Sequence, residues 1–188
     1  MGFKNTPTTY GSVAKTLHWL IFLLLSFQVT IGLLLNKLQE KAPATLEIYN
    51  LHKATGMLVL GLVIFRLAWR WNNITPRLPD SLSAPEKKLS RLIQGALYGL
   101  MFLIPLSGWT LSSAAGYPVD FYFGLIRFPA LVAKDKALAD LAVEVHAYLG
   151  FLLIGLVFIH AAAAIKHHFV AKNDILLSMV PRRSPPDA

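Results

Sequence analysis

The chain has 188 residues, of which 55% are apolar and only 15% charged, and it contains no cysteine. Soluble domains normally carry about 25% charged residues, and the lack of cysteine excludes disulfides, iron–sulfur clusters and thiolate-bound metals. The net charge of +8 would suit nucleic acid or an anionic membrane surface, and the apolar composition favours membrane lipid and excludes nucleic acid as the partner.

The first predicted helix covers about residues 13–36. Its uncharged stretch beyond Lys15 is long enough to cross a hydrocarbon core about 30 Å thick, which needs about 20 residues. A signal peptide would have a shorter apolar run and a small-residue cleavage site, which the end of this stretch lacks. We therefore expect this helix to stay in the mature protein.

The second predicted helix covers about residues 46–71 and is interrupted by Lys53 and Arg66. Hydropathy alone ranks it below the other helices. It is retained because an odd number of spans would leave the C-terminal basic cluster on the wrong side of the membrane. Ionisable side chains inside a span also usually mark function.

The connection that follows contains Pro76, Pro79 and Pro85. Prolines at this density favour an ordered turn without regular structure. The third predicted helix then covers about residues 91–113.

An outer loop from Ser113 to Asp140 precedes the fourth predicted helix, which covers about residues 142–169. The loop is aromatic and apolar over residues 117–128. Because Trp and Tyr favour the headgroup level of a bilayer, we expect this stretch to lie at the membrane interface.

The distribution of Lys and Arg predicts the orientation of the four helices. The N-terminus, the second-to-third connection and the C-terminal tail hold 11 of these residues, and the other two loops with their helix edges hold six. The positive-inside rule then places both termini in the cytoplasm. The predicted fold is all-α, a transmembrane four-helix bundle forming one domain over residues 1–183, with a frayed tail at 184–188.

Four of the six histidines lie inside the predicted helices: His18, His52, His146 and His160. A single histidine on an apolar helix is more often a hydrogen-bonded core residue than a metal ligand, but the depths of these four match in pairs. At 1.5 Å per residue, His18 and His160 lie about 27 and 25 Å below the outer ends of their helices. His52 and His146 lie about five and three residues below theirs. The sequence therefore predicts one histidine pair near each membrane face.

The fourth helix contributes one histidine to each pair. His146 and His160 are 14 residues apart, close to four helical turns, so they share a face and lie about 21 Å apart along the axis. Two haems, each bound by histidines from facing helices, would produce this pattern. A zinc or di-iron site would need ligands at one depth, usually with carboxylates, and the carboxylates here lie outside the spans.

Small residues near the histidines would leave room for a flat macrocycle. Gly56 is four residues after His52, and Gly150 is four residues after His146, so each glycine shares a face with its histidine. Gly32 lies at the level of the outer pair. Helix packing in membranes also uses small residues widely, so each glycine alone is weak support.

Arg66 is 14 residues after His52 and therefore points the same way at the depth of the inner pair. A buried arginine in lipid needs an anionic partner, and a haem propionate would supply one. The alternative of equal weight is that Arg66 extends to the cytoplasmic headgroups.

His167 and His168 lie beyond the last apolar run. The simpler interpretation is that they are interfacial residues at a helix C-terminus, where the helix dipole favours them. The functional alternative is that either of them hydrogen-bonds or protonates a quinone near the inner haem.

Several segments spread along the chain form a recognisable pattern. They are Leu17-His18-Trp19-Leu20, Asn50-Leu51-His52-Lys53 with Gly56, Arg66 with Arg70, Pro105-Leu106-Ser107-Gly108, and the run from His146 through His160-Ala161-Ala162-Ala163-Ala164 to His167-His168. On these segments the chain resembles the bacterial cytochrome b561 family over nearly its whole length.

The resemblance implies a four-helix protein of the bacterial inner (plasma) membrane that binds two haem b groups. By the family motif, His18 and His160 would bind the inner haem iron, and His52 and His146 the outer one. Some members take electrons from superoxide outside and pass them to ubiquinone. Superoxide would favour a positive outer surface, but the outer loops hold six basic and six acidic residues, so any steering would have to be local.

The leading functional interpretation is a di-haem b cytochrome that moves electrons between a donor at the periplasmic side, such as superoxide, and quinone. The alternative is a membrane-anchor subunit that passes electrons from a soluble dehydrogenase or hydrogenase to the quinone pool. The short loops favour the first function, because they offer little surface on which a soluble partner could dock. A transporter or channel would need discontinuous helices or a polar midplane. Apart from the histidines, the predicted spans show neither feature. The sequence does not specify the oligomeric state, and a homo-oligomer is one of the alternatives.

Overall fold

The structure, a computed structural model, describes residues 2–35, 37 and 43–180. Its four long helices are α1 Ser12–Leu35, α2 Pro43–Trp71, α3 Ala84–Ala115 and α4 Lys136–Phe169. Each contains a stretch long and apolar enough to cross a membrane. The predicted fold, an all-α set of four transmembrane helices, is therefore confirmed, while the cytoplasmic placement of the termini stays a prediction.

Short elements connect and follow the long helices. An antiparallel hairpin of strands β1 Val119–Asp120 and β2 Arg127–Phe128, with a 3-10 turn at Tyr122–Gly124 between them, lies between α3 and α4. A short helix, α5 Ile175–Met179, follows α4. The predicted frayed tail at 184–188 lies outside the described residues.

Helix α3 begins earlier than the hydropathy pattern predicts, at Ala84 instead of residue 91. The carboxylate of Glu86 accepts hydrogen bonds from the backbone N–H and the hydroxyl of Ser83, at 2.9 and 2.8 Å. Pro85 stands in the first turn, where its missing N–H costs nothing. The last part of the proline-containing connection is therefore helical, not irregular.

Helix α4 also begins early, at Lys136 instead of residue 142. The Asp135 side chain accepts a hydrogen bond from the backbone N–H of Leu138 at 3.1 Å and so caps the first turn. Caps of this kind are polar and lie outside the apolar stretch, so a hydropathy pattern does not register them.

Apolar side chains line both the interior and the outer surface of the helix bundle. Ile21, Val59 and Val63 form a buried cluster between α1 and α2, with side chains of α3 against it. Many large apolar residues, among them Phe27, Leu34, Phe151 and Phe158, are exposed instead. An outward apolar surface of this extent requires lipid around it.

The first and last described segments meet at one end of the bundle. The Trp19 indole N–H donates to the carbonyl of Met179 at 2.9 Å, and the Lys15 ammonium donates to the carbonyl of Val180 at 3.2 Å. The Asn5 amide donates to the carbonyl of Ile74 at 2.8 Å. Both ends of the described chain therefore lie on the same side as the α2–α3 connection.

The hairpin between α3 and α4 is fastened to α2 at the opposite end of the bundle. The Lys53 ammonium donates to the carbonyl of Pro118 at 2.7 Å, and the hydroxyls of Thr55 and Tyr122 lie 2.7 Å apart. Val119 is buried. The aromatic loop that the sequence predicts at the interface thus folds over the end of α2 that carries His52.

Candidate functional site

The structure places the imidazoles of His52 on α2 and His146 on α4 opposite each other near the hairpin end of the bundle. Their ring centroids are 6.1 Å apart, and their planes are inclined at 76°. This is the outer of the two pairs that depth matching predicts.

A second pair lies deeper, between α1 and α4. The ring centroids of His18 and His160 are 6.3 Å apart, and their planes are inclined at 66°. The structure therefore brings together the same partners that the sequence pairs by depth, and α4 carries one member of each pair.

The separation within each pair suits a metal ion between the rings. An imidazole nitrogen binds a metal at about 2 Å and the ring centroid lies about 1 Å further, so two axial imidazoles on one metal have centroids about 6 Å apart. Within residues 2–35, 37 and 43–180, no three His, Cys, Asp or Glu side chains are grouped to hold a metal ion. Each site can thus supply two histidine ligands, which is the number that a bis-histidine haem needs from the protein.

His146 is held by the backbone and side chains of α3. Its Nδ1 lies 3.0 Å from the carbonyl oxygen of Ile104 and 3.0 Å from the hydroxyl oxygen of Ser107. A Cβ built on Gly108 would meet the ring at 3.0 Å. In the sequence, Ser107 and Gly108 are recognisable only as part of a motif, because their contacts with His146 depend on how α3 faces α4.

His52 is surrounded by fewer polar groups. Its Nδ1 is buried and has no hydrogen-bond partner among the described residues. A Cβ on Gly32 would lie 3.6 Å from the ring, in ordinary contact, and one on Gly56 would meet the Gln28 amide at 3.2 Å. Around the Cβ position of Gly150, no described atom lies within 4 Å, so space remains beside His146 on α4.

Arg66 contacts the inner pair directly. Its Nη2 donates to Nδ1 of His18 at 3.2 Å, and its Nε donates to the hydroxyl of Tyr98 at 2.9 Å. Arg70, one turn further along α2, also lies over the Tyr98 ring, with the guanidinium carbon of each arginine 5.9 Å from the ring centroid. In this structure Arg66 turns towards the bundle interior and does not extend to the headgroup level.

A small cavity adjoins these arginines, with a volume of about 30 Å³. Its lining residues come from the N-terminal segment, three of the long helices and α5: Asn5, Tyr10, Ala14, Arg66, Trp69, Arg70, Tyr98 and Met179. The indole N–H of Trp69 is buried there without a hydrogen-bond partner in the described part of the chain. No acidic side chain of the described residues pairs with either arginine. Two guanidinium groups and an unused N–H donor form a suitable environment for a carboxylate.

His167 and His168 lie in the last turn of α4 and have local partners. The backbone carbonyl of His167 accepts a hydrogen bond from the N–H of Asn173 at 3.1 Å. The His168 ring packs edge-on against Phe169, with centroids 4.8 Å apart. Their predicted role at a quinone stays a prediction.

Comparison with known proteins adds an independent line of support. A family model described as prokaryotic cytochrome b561 matches residues 9–182. The chain is 33% identical to "Cytochrome b561 homolog 2" of Escherichia coli strain K12, an alignment that covers 98% of this chain and 97% of that protein.

Two more distant relatives match almost as much of the chain. "Cytochrome b561 homolog 1" of Escherichia coli strain K12 is 28% identical, with 89% of this chain and 94% of that protein covered. "Probable superoxide oxidase CybB" of Yersinia pestis is 27% identical, with 93% of this chain and 97% of that protein covered.

Proposed function

The chain belongs to the prokaryotic cytochrome b561 family of haem-binding membrane electron-transfer proteins, and we propose that it holds two b-type haems and carries electrons from an outer donor to quinone. The family and the four membrane-spanning helices make it a multi-pass protein of the bacterial inner membrane.

The observation that carries this proposal is the spacing within the two histidine pairs. His18 with His160 and His52 with His146 have centroid separations of 6.3 and 6.1 Å, so each pair would be able to bind one iron between its two rings. Both groups would be bound without covalent attachment, because the chain has no cysteine to form a thioether. A haem bound at each site accepts and releases one electron.

The residues between the two sites keep water out of the path. The buried cluster of Ile21, Val59 and Val63 lies at depths between the pairs, since Ile21 follows His18 by one turn and Val59 follows His52 by two. The sites are about 21 Å apart along α4. An apolar interior here lowers the reorganisation of polar surroundings that accompanies electron transfer.

At the inner site, Arg66 is proposed to bind a haem propionate. Its guanidinium lies in contact with His18, and no acidic side chain among the described residues compensates its charge. A propionate carboxylate beside the small cavity would supply the negative charge that compensates Arg66. Within the structure, the orientation of Arg66 favours this role over an extension to the headgroups.

The donor at the outer side is proposed to be a small anion such as superoxide. One relative is named a probable superoxide oxidase. Asp120 offsets the charge of Arg127, from which it accepts two hydrogen bonds at 2.8 and 3.2 Å. Lys53 and Lys134 would then supply the local positive charge that attracts the anion. Each of two superoxide ions would lose one electron and leave as dioxygen.

The acceptor is proposed to be ubiquinone at the inner end of the bundle. Reduction to ubiquinol takes two electrons, one from each superoxide, together with two protons from the inner aqueous phase. His167 and His168, half-buried in the last turn of α4, are suited to deliver those protons.

The decisive experiment is a haem-to-protein ratio measured together with the reduced-minus-oxidised visible spectrum of the purified protein. We expect two b-type haems per chain, extractable with acid–acetone, that superoxide reduces and ubiquinone reoxidises. A ratio of one would refute the pairing scheme. A soluble subunit that purifies in stoichiometric amount would instead support the membrane-anchor function.

A further inference from the structure

Helix α3 contains no histidine, yet one of its faces contacts a proposed ligand. Ser107 and Gly108 are three and four residues after Ile104, so both lie on the same side of the helix as Ile104. That side faces His146 on α4. We call these three residues the α3 contact segment.

The hydrogen bonds of this segment determine which nitrogen of His146 carries the proton. The carbonyl oxygen of Ile104 can only accept a hydrogen bond, so the group 3.0 Å away must be a protonated Nδ1. The Ser107 hydroxyl donates its own hydrogen to the same carbonyl at 2.8 Å, which leaves its oxygen, 3.0 Å from Nδ1, as a second acceptor. Nε2 of a neutral His146 is then left with its lone pair free to bind a metal.

Gly108 fixes the position of the ring. A Cβ at this residue would lie 3.0 Å from Cε1 and 3.2 Å from Nδ1 of His146, closer than side-chain carbons normally approach. The imidazole therefore rests against the bare backbone of α3. Any larger residue at 108 would push the ring away from the Ile104 carbonyl.

The other histidines with a described Nδ1 environment are held differently. Nδ1 of His18 accepts a hydrogen bond from Arg66, so a neutral His18 carries its proton on Nε2 and can bind a metal there only when Arg66 turns away, as it would towards a propionate. Nδ1 of His52 is buried without a described partner. A ligand N–H that donates to a carbonyl makes the imidazole a stronger donor to the metal, which favours the oxidised state. A nearby guanidinium favours the reduced state.

We propose that Ile104, Ser107 and Gly108 are positioning residues that hold His146 as a ligand and lower the midpoint potential of the outer haem below that of the inner one. This rests on the proposed function. It gives α3 a part in the reaction, because the difference in potential drives electrons from the outer site to the inner site.

The first test compares two glycine substitutions on the same helix. In Gly108→Ala the new methyl group displaces the His146 ring, and we expect the outer haem's potential to rise or its band to be lost, with the inner haem unchanged. Gly99→Ala is the matched control, because residue 99 is nine positions away on the opposite face and no described atom lies within 4 Å of its Cβ position. Both changes alter helix propensity equally.

The second test uses Ser107, in case Gly108→Ala does not accumulate as folded protein. Ser107→Ala removes one acceptor from Nδ1, so the outer potential should rise while both haems remain bound. Ser107→Thr keeps the hydroxyl and should restore the original potential.

The outcomes separate this inference from the proposed function. Two haems per chain with an unshifted outer potential in both Gly108→Ala and Ser107→Ala would overturn the positioning role alone. The same holds if both haems shift equally, or if the unchanged protein has the lower potential at the inner site. Fewer than two haems in the unchanged protein would overturn the proposed function itself.

Discussion

Arg66 on α2 donates a hydrogen bond from Nη2 to Nδ1 of His18 on α1, across 3.2 Å. A guanidinium stays protonated in proteins, so a permanent positive charge touches one member of the inner pair. Among the described residues no acidic side chain forms an ion pair with it. The electrostatic environment of the inner site therefore depends on this one side chain more than on any other that the structure describes there.

Replacement of Arg66 by leucine should lower the inner midpoint potential, because losing a positive neighbour favours the oxidised state. At an effective dielectric of about 20 and about 7 Å, the interaction is roughly 2 kcal/mol, and screening reduces the shift to some tens of millivolts. Arg66→Lys keeps the charge and serves as the control. A redox titration in which neither haem shifts would contradict the prediction.

Ligand substitutions should act by pair. His18→Ala and His160→Ala should perturb the same spectral component, because their rings face each other at 6.3 Å. His52→Ala and His146→Ala should perturb the other. His168→Ala is the control and should leave both components in place. A crossed pattern in the visible spectra would show that the facing rings do not share an iron.

Trp69→Phe tests whether the buried indole N–H serves a bound carboxylate. If it donates to an inner propionate, its loss should lower the inner potential and loosen that haem. An N–H without any partner would cost about 1–3 kcal/mol, so Phe would then stabilise the protein. Trp71→Phe is the control, since Trp71 is exposed. Redox titration and thermal unfolding of the loaded protein distinguish the two results.

The contact between Thr55 and Tyr122 should limit access to the outer site. Thr55→Val and Tyr122→Phe each remove the same 2.7 Å hydrogen bond, so each should speed reduction of the outer haem by a soluble reductant in stopped-flow measurements. The double substitution should add little to either single one. Fully additive effects would mean that the two hydroxyls act separately.

Asp120→Asn should increase the rate of reduction by superoxide. The hydrogen bond from Arg127 lowers the pKa of Asp120, so the carboxylate is charged at neutral pH and offsets the arginine. Removing that charge leaves Arg127 to attract anions, an effect that salt should suppress. An uncharged reductant should react at the original rate. Equal acceleration of both reductants would point to a change in the hairpin instead.

The sequence predicts the four spans and the pairing of the histidines because the rise per residue of a helix is nearly constant. Counting residues from the helix ends is then enough to match His18 with His160 and His52 with His146. Hydropathy does not predict the early starts of α3 and α4, because the polar caps at Ser83 and Asp135 lie outside the apolar stretches.

The contacts of Ser107 and Gly108 with His146 could not be predicted from the sequence. They depend on the rotation of α3 relative to α4, which side-chain packing sets and residue spacing does not. The attachment of the hairpin to α2 through Lys53 and Thr55 joins residues 65 and 67 positions apart. No local pattern specifies a contact between such distant residues.

Helix α4 carries one histidine of each pair on a single rigid element. A cofactor bound at either site fixes the depth and rotation of this helix, and with them the position of the histidine about 21 Å away. The first cofactor therefore removes part of the conformational freedom of the second site. Assembly of the loaded protein should accordingly be cooperative, with chains that hold a single cofactor scarce when supply is limiting.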